Sequence, residues 1–292
     1  MYCSENKLFL QKTEPTVTFT ASIFTTMKVL IAGAGNMGKT YARSFLASRF
    51  IEANDLFVLE RSAGSVSSIQ NIPQGNIHPQ AGEFISQADI IILSVKPQDF
   101  AVLGKQIAPY VHKGQLLLSI MAGIKISTIY ETTGLTKIVR AMPNLPAQIG
   151  MGMTVFTSSA DMDRKELFII QNLINTTGKS LYVEDERKID AATAISGSGP
   201  AYVYYFMEAM IQAGMKMGFS LSQAELLVNQ TFMGAVHLHN QSNLTCNEWI
   251  ERVASKGGTT EAALKVLSEN TVNENTEAAL FAAFNRAREL GN

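Results

Sequence analysis

From Met27 onward the chain alternates between short, largely apolar runs and longer stretches with a helical period. The runs Lys28–Ala32, Leu56–Glu60, Asp89–Val95, Gln115–Ile120 and Lys137–Ala141 show little in/out alternation, which is the pattern of strands covered on both faces. Helical stretches, notably Lys39–Arg49 and Pro97–Ala108, separate several of them. Strand alternating with helix predicts βαβ units and an α/β, doubly wound, mostly parallel sheet. The run Met151–Thr157, a helix over Asp163–Asn175 and the run Ser180–Val183 extend that sheet. Beyond about Glu184 no convincing strand remains. Residues 186–290 read as long helices with small and Met-rich faces, broken at Gly218-Phe219-Ser220 and at Gly257-Gly258. A boundary near 184 therefore separates a sheet domain, 27–184, from an all-helical segment, 185–292.

Residues 1–26 are Thr/Ser-rich with no clean period, and they lack the basic start and unbroken apolar run of a secretory signal. They also contain no Arg and two acidic residues, unlike a transit peptide. We read them as an extension, either disordered or upstream of a true start at Met27. The balance of 24 basic against 25 acidic residues argues against a nucleic-acid or anionic-membrane surface. Two cysteines, Cys3 and Cys246, are too few for a disulfide scaffold and fit a reducing, cytoplasmic setting. No apolar run approaches the roughly 18 residues of a membrane span.

Two stretches carry candidate chemistry. Gly33-Ala34-Gly35-Asn36-Met37-Gly38 is a G-x-G-x-x-G that follows the strand Val29–Ala32 and opens a helix. That context makes it a dinucleotide fingerprint: a tight turn at Gly33, close approach of a pyrophosphate at Gly35, and close helix–strand packing at Gly38. Glu60, at the end of the next strand, suits the ribose 2′-hydroxyl of NAD, whereas Arg61-Ser62 suit a 2′-phosphate. Lys96, before Pro97, either touches the cofactor or is a surface lysine ahead of a proline-started helix.

The second stretch is Ala254–Leu267, a small-residue loop running into a helix. Thr259 or Thr260 can cap a helix over Glu261–Leu267, and the backbone N–H groups of residues 256–260 can hold a carboxylate. The bland alternative is a capped helix–helix turn that binds nothing. A third stretch, Ile195–Phe206, starts a long helix with Pro200 in its first turn, and Gly197 and Gly199 permit close approach of a planar ring. Tyr202, Tyr204 and Tyr205 suit packing or a subunit interface better than catalysis. So do Met207, Met210, Met215, Met217 and Met233, as core filler or as contacts across subunits. His237 and His239 are two apart on a helix and do not share a face, so no metal site is expected. With no hydrolytic motif and no strong general acid, the residues favour hydride transfer to a C=N bond, since a cyclic imine protonates readily in water.

Over residues 27–290 the chain resembles the pyrroline-5-carboxylate reductase family. The motifs that carry the resemblance are Gly33–Gly38, Val95-Lys96-Pro97, Ala122-Gly123-Ile124, Arg140-Ala141-Met142-Pro143-Asn144, Ser196–Tyr202 and Gly257-Gly258-Thr259-Thr260. The resemblance implies a Rossmann domain followed by a helical dimerisation domain, and a homo-oligomer, either a dimer or a ring of dimers. It also implies NAD(P)H-dependent reduction of the cyclic imino acid 1-pyrroline-5-carboxylate to L-proline. Carried over by position, it places Asn36 and Met37 by the pyrophosphate, and Arg61, Ser62 and Asn76 near the adenosine ribose and its phosphate. Ala122, Gly123, Met142, Pro143 and Asn144 fall on the nicotinamide side. Ser255, Gly257, Gly258, Thr259 and Thr260 hold the substrate carboxylate, with the Thr260 hydroxyl close to the imine nitrogen. The family's usual NADPH preference favours Arg61-Ser62 over Glu60, with NADH as the alternative.

Three sites depart from the family: Lys256 replaces a proline, Thr245-Cys246-Asn247 replace a His-Pro-Gly turn, and Leu145 replaces a threonine. Two other readings stay open: a β-hydroxyacid dehydrogenase, which shares the Rossmann-plus-helical layout, and a non-catalytic NADPH-binding sensor or scaffold, which the altered 245–247 turn and Lys256 motivate. Val203–Met210 lacks the Lys and Asn that the former requires.

Overall fold

A computed structural model describes residues 27–61, 69 and 72–291. The expectations for residues 1–26 and for Ser62 lie outside these residues.

Eight strands form one sheet: β1 Val29–Ala32, β2 Leu56–Leu59, β3 Ile77–His78, β4 Ile90–Leu93, β5 Leu116–Ser119, β6 Ile138–Met142, β7 Gly152–Ser158 and β8 Gly178–Tyr182. The order is β3-β2-β1-β4-β5-β6-β7-β8, and every pairing is parallel except β6 with β7. The five expected strands from Lys28 to Ala141 are all present. Only β3 was not foreseen, because two residues show no period.

The apolar runs are explained by layering. Val29, Ile31, Val58, Ile90 and Ile92 point to one face and pack on Tyr41 and Phe45 of α1 (Asn36–Ala47). Leu30, Ala32, Ile91, Leu93 and Leu117 point to the other, against Phe100 and Ile107 of α2 (Phe100–Ile107) and Ile129 of α3 (Ile126–Thr133). Ile170 and Leu173 of α4 (Arg164–Asn175) complete the first layer. With helices on both faces, neither set of alternate side chains meets water.

β2 and β3 lie on one side of β1, and β4 to β8 on the other. The chain direction across the sheet thus reverses between β1 and β4, and a crevice opens at their carboxyl ends, where doubly wound sheets bind ligands.

After Tyr182 the described chain is helical: α5 Arg187–Ala192, α6 Gly199–Lys216, α7 Leu221–Asn240, α8 Cys246–Val253, α9 Thr259–Glu269 and α10 Val272–Leu290. A π-helical turn, Thr193–Gly197, joins α5 to α6. The root of this segment is pinned to the sheet by Arg140 of β6. Its guanidinium is buried and donates to Glu186 Oε1 at 3.1 Å and to Asp190 Oδ1 at 2.6 Å. Further out the helices bury little. Met217 and Tyr205 are 78% and 73% exposed, and Leu226, Met233 and Phe281 are also largely uncovered. Apolar exposure on this scale marks an association surface.

Candidate active site

The three glycines of the first motif meet different constraints. Gly33 has φ +104°, and a Cβ there would lie 2.8 Å from the Ser94 carbonyl oxygen. A Cβ on Gly38 would lie 2.1 Å from the Gly33 carbonyl oxygen. These two glycines let the turn and α1 close onto the sheet. A Cβ on Gly35 would meet nothing within 4 Å, so this glycine keeps space open for something other than the chain itself. Gly35 is also the N-cap of α1, with no side-chain cap and no acidic residue in the first turn. The N–H groups of Asn36, Met37 and Gly38 head the helix without a side chain to receive them, which fits a pyrophosphate. The residues present therefore fit a dinucleotide.

The crevice beside this turn is a cleft of about 1030 Å³. Gly33, Gly35, Glu60, Arg61, Val95 and Lys96 line it, bringing the glycine turn together with the ends of β2 and β4. Glu60 turns inward, and its Oε2 accepts the Ala34 N–H at 2.8 Å. Arg61 is exposed and forms no ion pair among the described residues. Pro97 opens the short 3₁₀ turn that leads into α2. Pro79, Gln80 and Ala81 also line the cleft and were missed, because they follow the undetected β3. Asn76 does not reach the cleft. Its amide donates to the Asn54 and Leu56 carbonyls at 2.8 and 3.1 Å, which clamps the amino end of β2, away from the ligand edge.

Ala122 and Gly123 follow β5, and Met142, Pro143 and Asn144 end or follow β6, so both groups sit on the same carboxyl edge of the sheet. Asn144 is committed internally: it donates to the Ser196 carbonyl at 3.1 Å and accepts the Met153 N–H at 2.8 Å. A Cβ on Gly197 would lie 2.7 Å from Met142 Cε, so Gly197 makes room for a side chain rather than a ligand ring. Gly199, by contrast, has open space around it.

The second glycine pair lies at the start of α9. Gly257 has φ +73°, which favours glycine. The N-cap is Gly258, and no side chain caps the helix, so neither Thr259 nor Thr260 has the capping role expected of it; both lie inside the first turn. The amides are only partly available. Gly257 N–H donates to Glu261 Oε2 at 2.6 Å, and Gly258 N–H donates to the Ser255 carbonyl at 3.0 Å. Thr259 and Thr260 head the helix, and Thr260 is the more sheltered of the two. None of Ser255, Gly257, Gly258, Thr259 and Thr260 lines the cleft beside Gly35 within the single chain.

The departures at 245–247 have a local explanation. Thr245 forms a capping box with Glu248: its Oγ1 accepts the Glu248 N–H at 3.3 Å and its own N–H donates to Glu248 Oε2 at 2.7 Å. A helix start thus replaces the rigidity of a proline turn. The Glu248 carboxyl is held below its ordinary pKa by these bonds to Thr245. Lys256 is exposed, and no ion pair forms to it among the described residues.

A family profile described as "Pyrroline-5-carboxylate reductase dimerisation" matches residues 186–290, and one described as "NADP oxidoreductase coenzyme F420-dependent" matches 28–123. The pyrroline-5-carboxylate reductase of Pseudomonas aeruginosa is 34% identical over 266 residues, covering 91% of this chain and 97% of that one. The chain belongs to the pyrroline-5-carboxylate reductase family. Pyrroline-5-carboxylate reductase 2 of Bacillus subtilis is 35% identical over 250 residues, covering 85% of this chain and 89% of that protein. A Plasmodium falciparum pyrroline carboxylate reductase solved with NADP bound superposes with a TM-score of 0.81 at 29% identity, covering 92% of this chain and all of that one. As a member of this family, with its dimerisation segment and uncovered apolar helices, the protein is a homo-oligomeric oxidoreductase. Among the described residues no helix is long and apolar enough to cross a membrane.

Proposed function

We propose that this chain reduces 1-pyrroline-5-carboxylate to L-proline with NADPH, the last step of proline biosynthesis, and accepts NADH less well. The observation that supports it most directly is the pairing of an open glycine cradle at Gly35 with a Gly-Gly-Thr-Thr helix start at 257–260 in one chain of this family. One seat suits a pyrophosphate and the other a carboxylate. When bound, NADPH would supply the hydride that adds to the imine carbon, and the nitrogen, protonated from water as the iminium, would become the secondary amine.

The chain's own groups bind and orient. The first-turn amides of α1 receive the pyrophosphate, and Arg61 faces the adenosine 2′-phosphate. Ala122-Gly123 and Met142–Asn144 form the floor on the nicotinamide side. The amides of Thr259 and Thr260 receive the substrate carboxylate, and the Thr260 hydroxyl lies by the imine nitrogen. Ser255 and Gly258 shape that loop through their mutual hydrogen bond.

Because 255–260 do not line the Gly35 cleft within one chain, assembly brings the two seats together. The exposed Met210, Met215, Met217 and Met233 suit such packing, in a dimer or a ring of dimers. We assign residues 27–184 to the cofactor domain, 185–292 to the substrate and dimerisation domain, and the protein to the cytoplasm.

The test is cofactor oxidation by the purified protein, followed by loss of NADPH and NADH absorbance with and without pyrroline-5-carboxylate, together with analysis for proline. Imine-dependent oxidation that yields proline is expected. Tight NADPH binding with no turnover would overturn the reaction and leave only a cofactor-binding protein.

A further inference from the structure

The loop that follows β5 is held by an element far away in the chain. Gly123 is buried and has φ +79°. A Cβ on it would lie 2.8 Å from the carbonyl carbon and oxygen of Leu290 and 3.1 Å from Gly291 N. The reverse also holds, since a Cβ on Gly291 would lie 2.5 Å from the Gly123 carbonyl oxygen. The end of α10 is therefore seated backbone against backbone on the β5–α3 loop. Only glycine at both positions permits that approach. Gly291 itself has φ −94°, which any residue adopts, so its side chain is excluded by the contact and not by its conformation.

α10 also packs against α9, whose first turn is the proposed carboxylate seat, and against the π-helical turn and α5 at the root of the helical segment. One continuous helix thus runs from the element carrying the substrate loop to the loop on the nicotinamide side of the sheet edge.

We propose that Gly291 is a positioning residue for the reaction: its contact with Gly123 sets the height of the Ala122–Ile124 loop under the cofactor. This rests on the reading of that loop as the nicotinamide floor. A shift of a few tenths of an ångström at Gly291 moves the loop, whereas the pyrophosphate cradle at Gly33–Gly38 lies on a different loop, after β1, and is untouched.

The experiment is Gly291→Ala, compared with wild type for NADPH binding by calorimetry, for steady-state kinetics with pyrroline-5-carboxylate, and for Tm. The expected result is a lowered Tm, as the backbone clash requires, with NADPH affinity of the folded protein within a few-fold of wild type and kcat per folded molecule lowered at least about tenfold, as misplacement of a reacting group predicts. A purely structural role would lower Tm and leave kcat per folded molecule intact. Unchanged kcat in a folded variant overturns the proposal. A second measurement uses wild type alone: hydrogen exchange of the Leu290-Gly291 amides with and without NADPH. Slower exchange there on binding supports the contact, and protection confined to the Gly33–Gly38 loop opposes it. Wild type that binds NADPH but does not turn over the imine would defeat the proposed reaction, and the exchange measurement would still decide the contact.

Discussion

The Glu60 carboxylate accepts the amide hydrogen of Ala34 at 2.8 Å, across the turn between β1 and α1. The acidic residue at the end of β2 is thereby used to brace the glycine turn, while its neighbour Arg61 stands exposed over the same cleft. The contest between them for the adenosine ribose tilts to Arg61. Arg61→Ala should raise KM for NADPH roughly tenfold, the value of one charge-assisted hydrogen bond, and leave KM for NADH nearly unchanged. Steady-state kinetics with each cofactor check this; equal losses with both would return the preference to Glu60.

Gly35 and Gly38 should separate binding from folding. Gly38→Ala puts a methyl 2.1 Å from a backbone oxygen, so α1 must move. Overpacking of this kind costs about 1–3 kcal/mol, visible as a lower Tm. Gly35→Ala meets nothing in the protein, so its Tm should match wild type. Its NADPH affinity should nonetheless fall, because the methyl enters the space over the helix start. Calorimetry and thermal melts on both variants test the division, and a normal affinity for Gly35→Ala would remove the pyrophosphate from that position.

His78 should make stability depend on pH. Its ring stacks on Phe84 with centroids 3.6 Å apart, and its buried Nε2 has no hydrogen-bond partner among the described residues. Burial lowers its pKa from the ordinary 6.5. The unfolded chain then binds a proton that the native chain resists, so stability rises with pH through this window. It is complete above 6.5 and is lost as pH falls toward the lower native value. The His78 carbonyl also accepts the Glu60 N–H at 2.9 Å, so loosening β3 disturbs the cleft. Thermal melts from about pH 7 to about pH 5 should show a drop in wild type that His78→Phe reduces. Parallel curves for the two proteins would exclude His78 as the source.

What the sequence disclosed and what it hid follow from the range of the forces involved. The sheet was legible because strands covered on both faces are apolar at every position, as Ile90–Leu93 are. The Gly33–Gly38 turn was legible because a strand before it and a helix after it are local features. β3 was hidden by its length, and with it Pro79, Gln80 and Ala81. Asn76 was misplaced because its amide bonds to Asn54 and Leu56, some twenty residues away, and no pattern signals such a tertiary bond. The capping box at Thr245 was legible in principle, since Glu248 stands three residues on. The seating of Gly291 on Gly123 was not, because neither residue's neighbours predict the other.

Glu261 should oppose the substrate. Its carboxylate accepts the Gly257 N–H at 2.6 Å, so a negative charge of the chain's own already stands at the start of α9. A substrate carboxylate arriving at the Thr259 and Thr260 amides meets that charge and competes for the same end of the helix dipole. Glu261→Gln keeps an acceptor for Gly257 and a similar shape but removes the charge. It should lower KM for pyrroline-5-carboxylate a few-fold at low salt, and the gain should shrink as ionic strength rises, because Glu261 is exposed and its charge is screened. KM for NADPH should not change, since Glu261 is not part of the Gly35 cleft. Kinetics of wild type and variant at low and high salt measure this. A higher KM in the variant at both would mean that Glu261 serves the substrate by holding the Gly257 loop, and that the carboxylate of the substrate binds elsewhere than beside it.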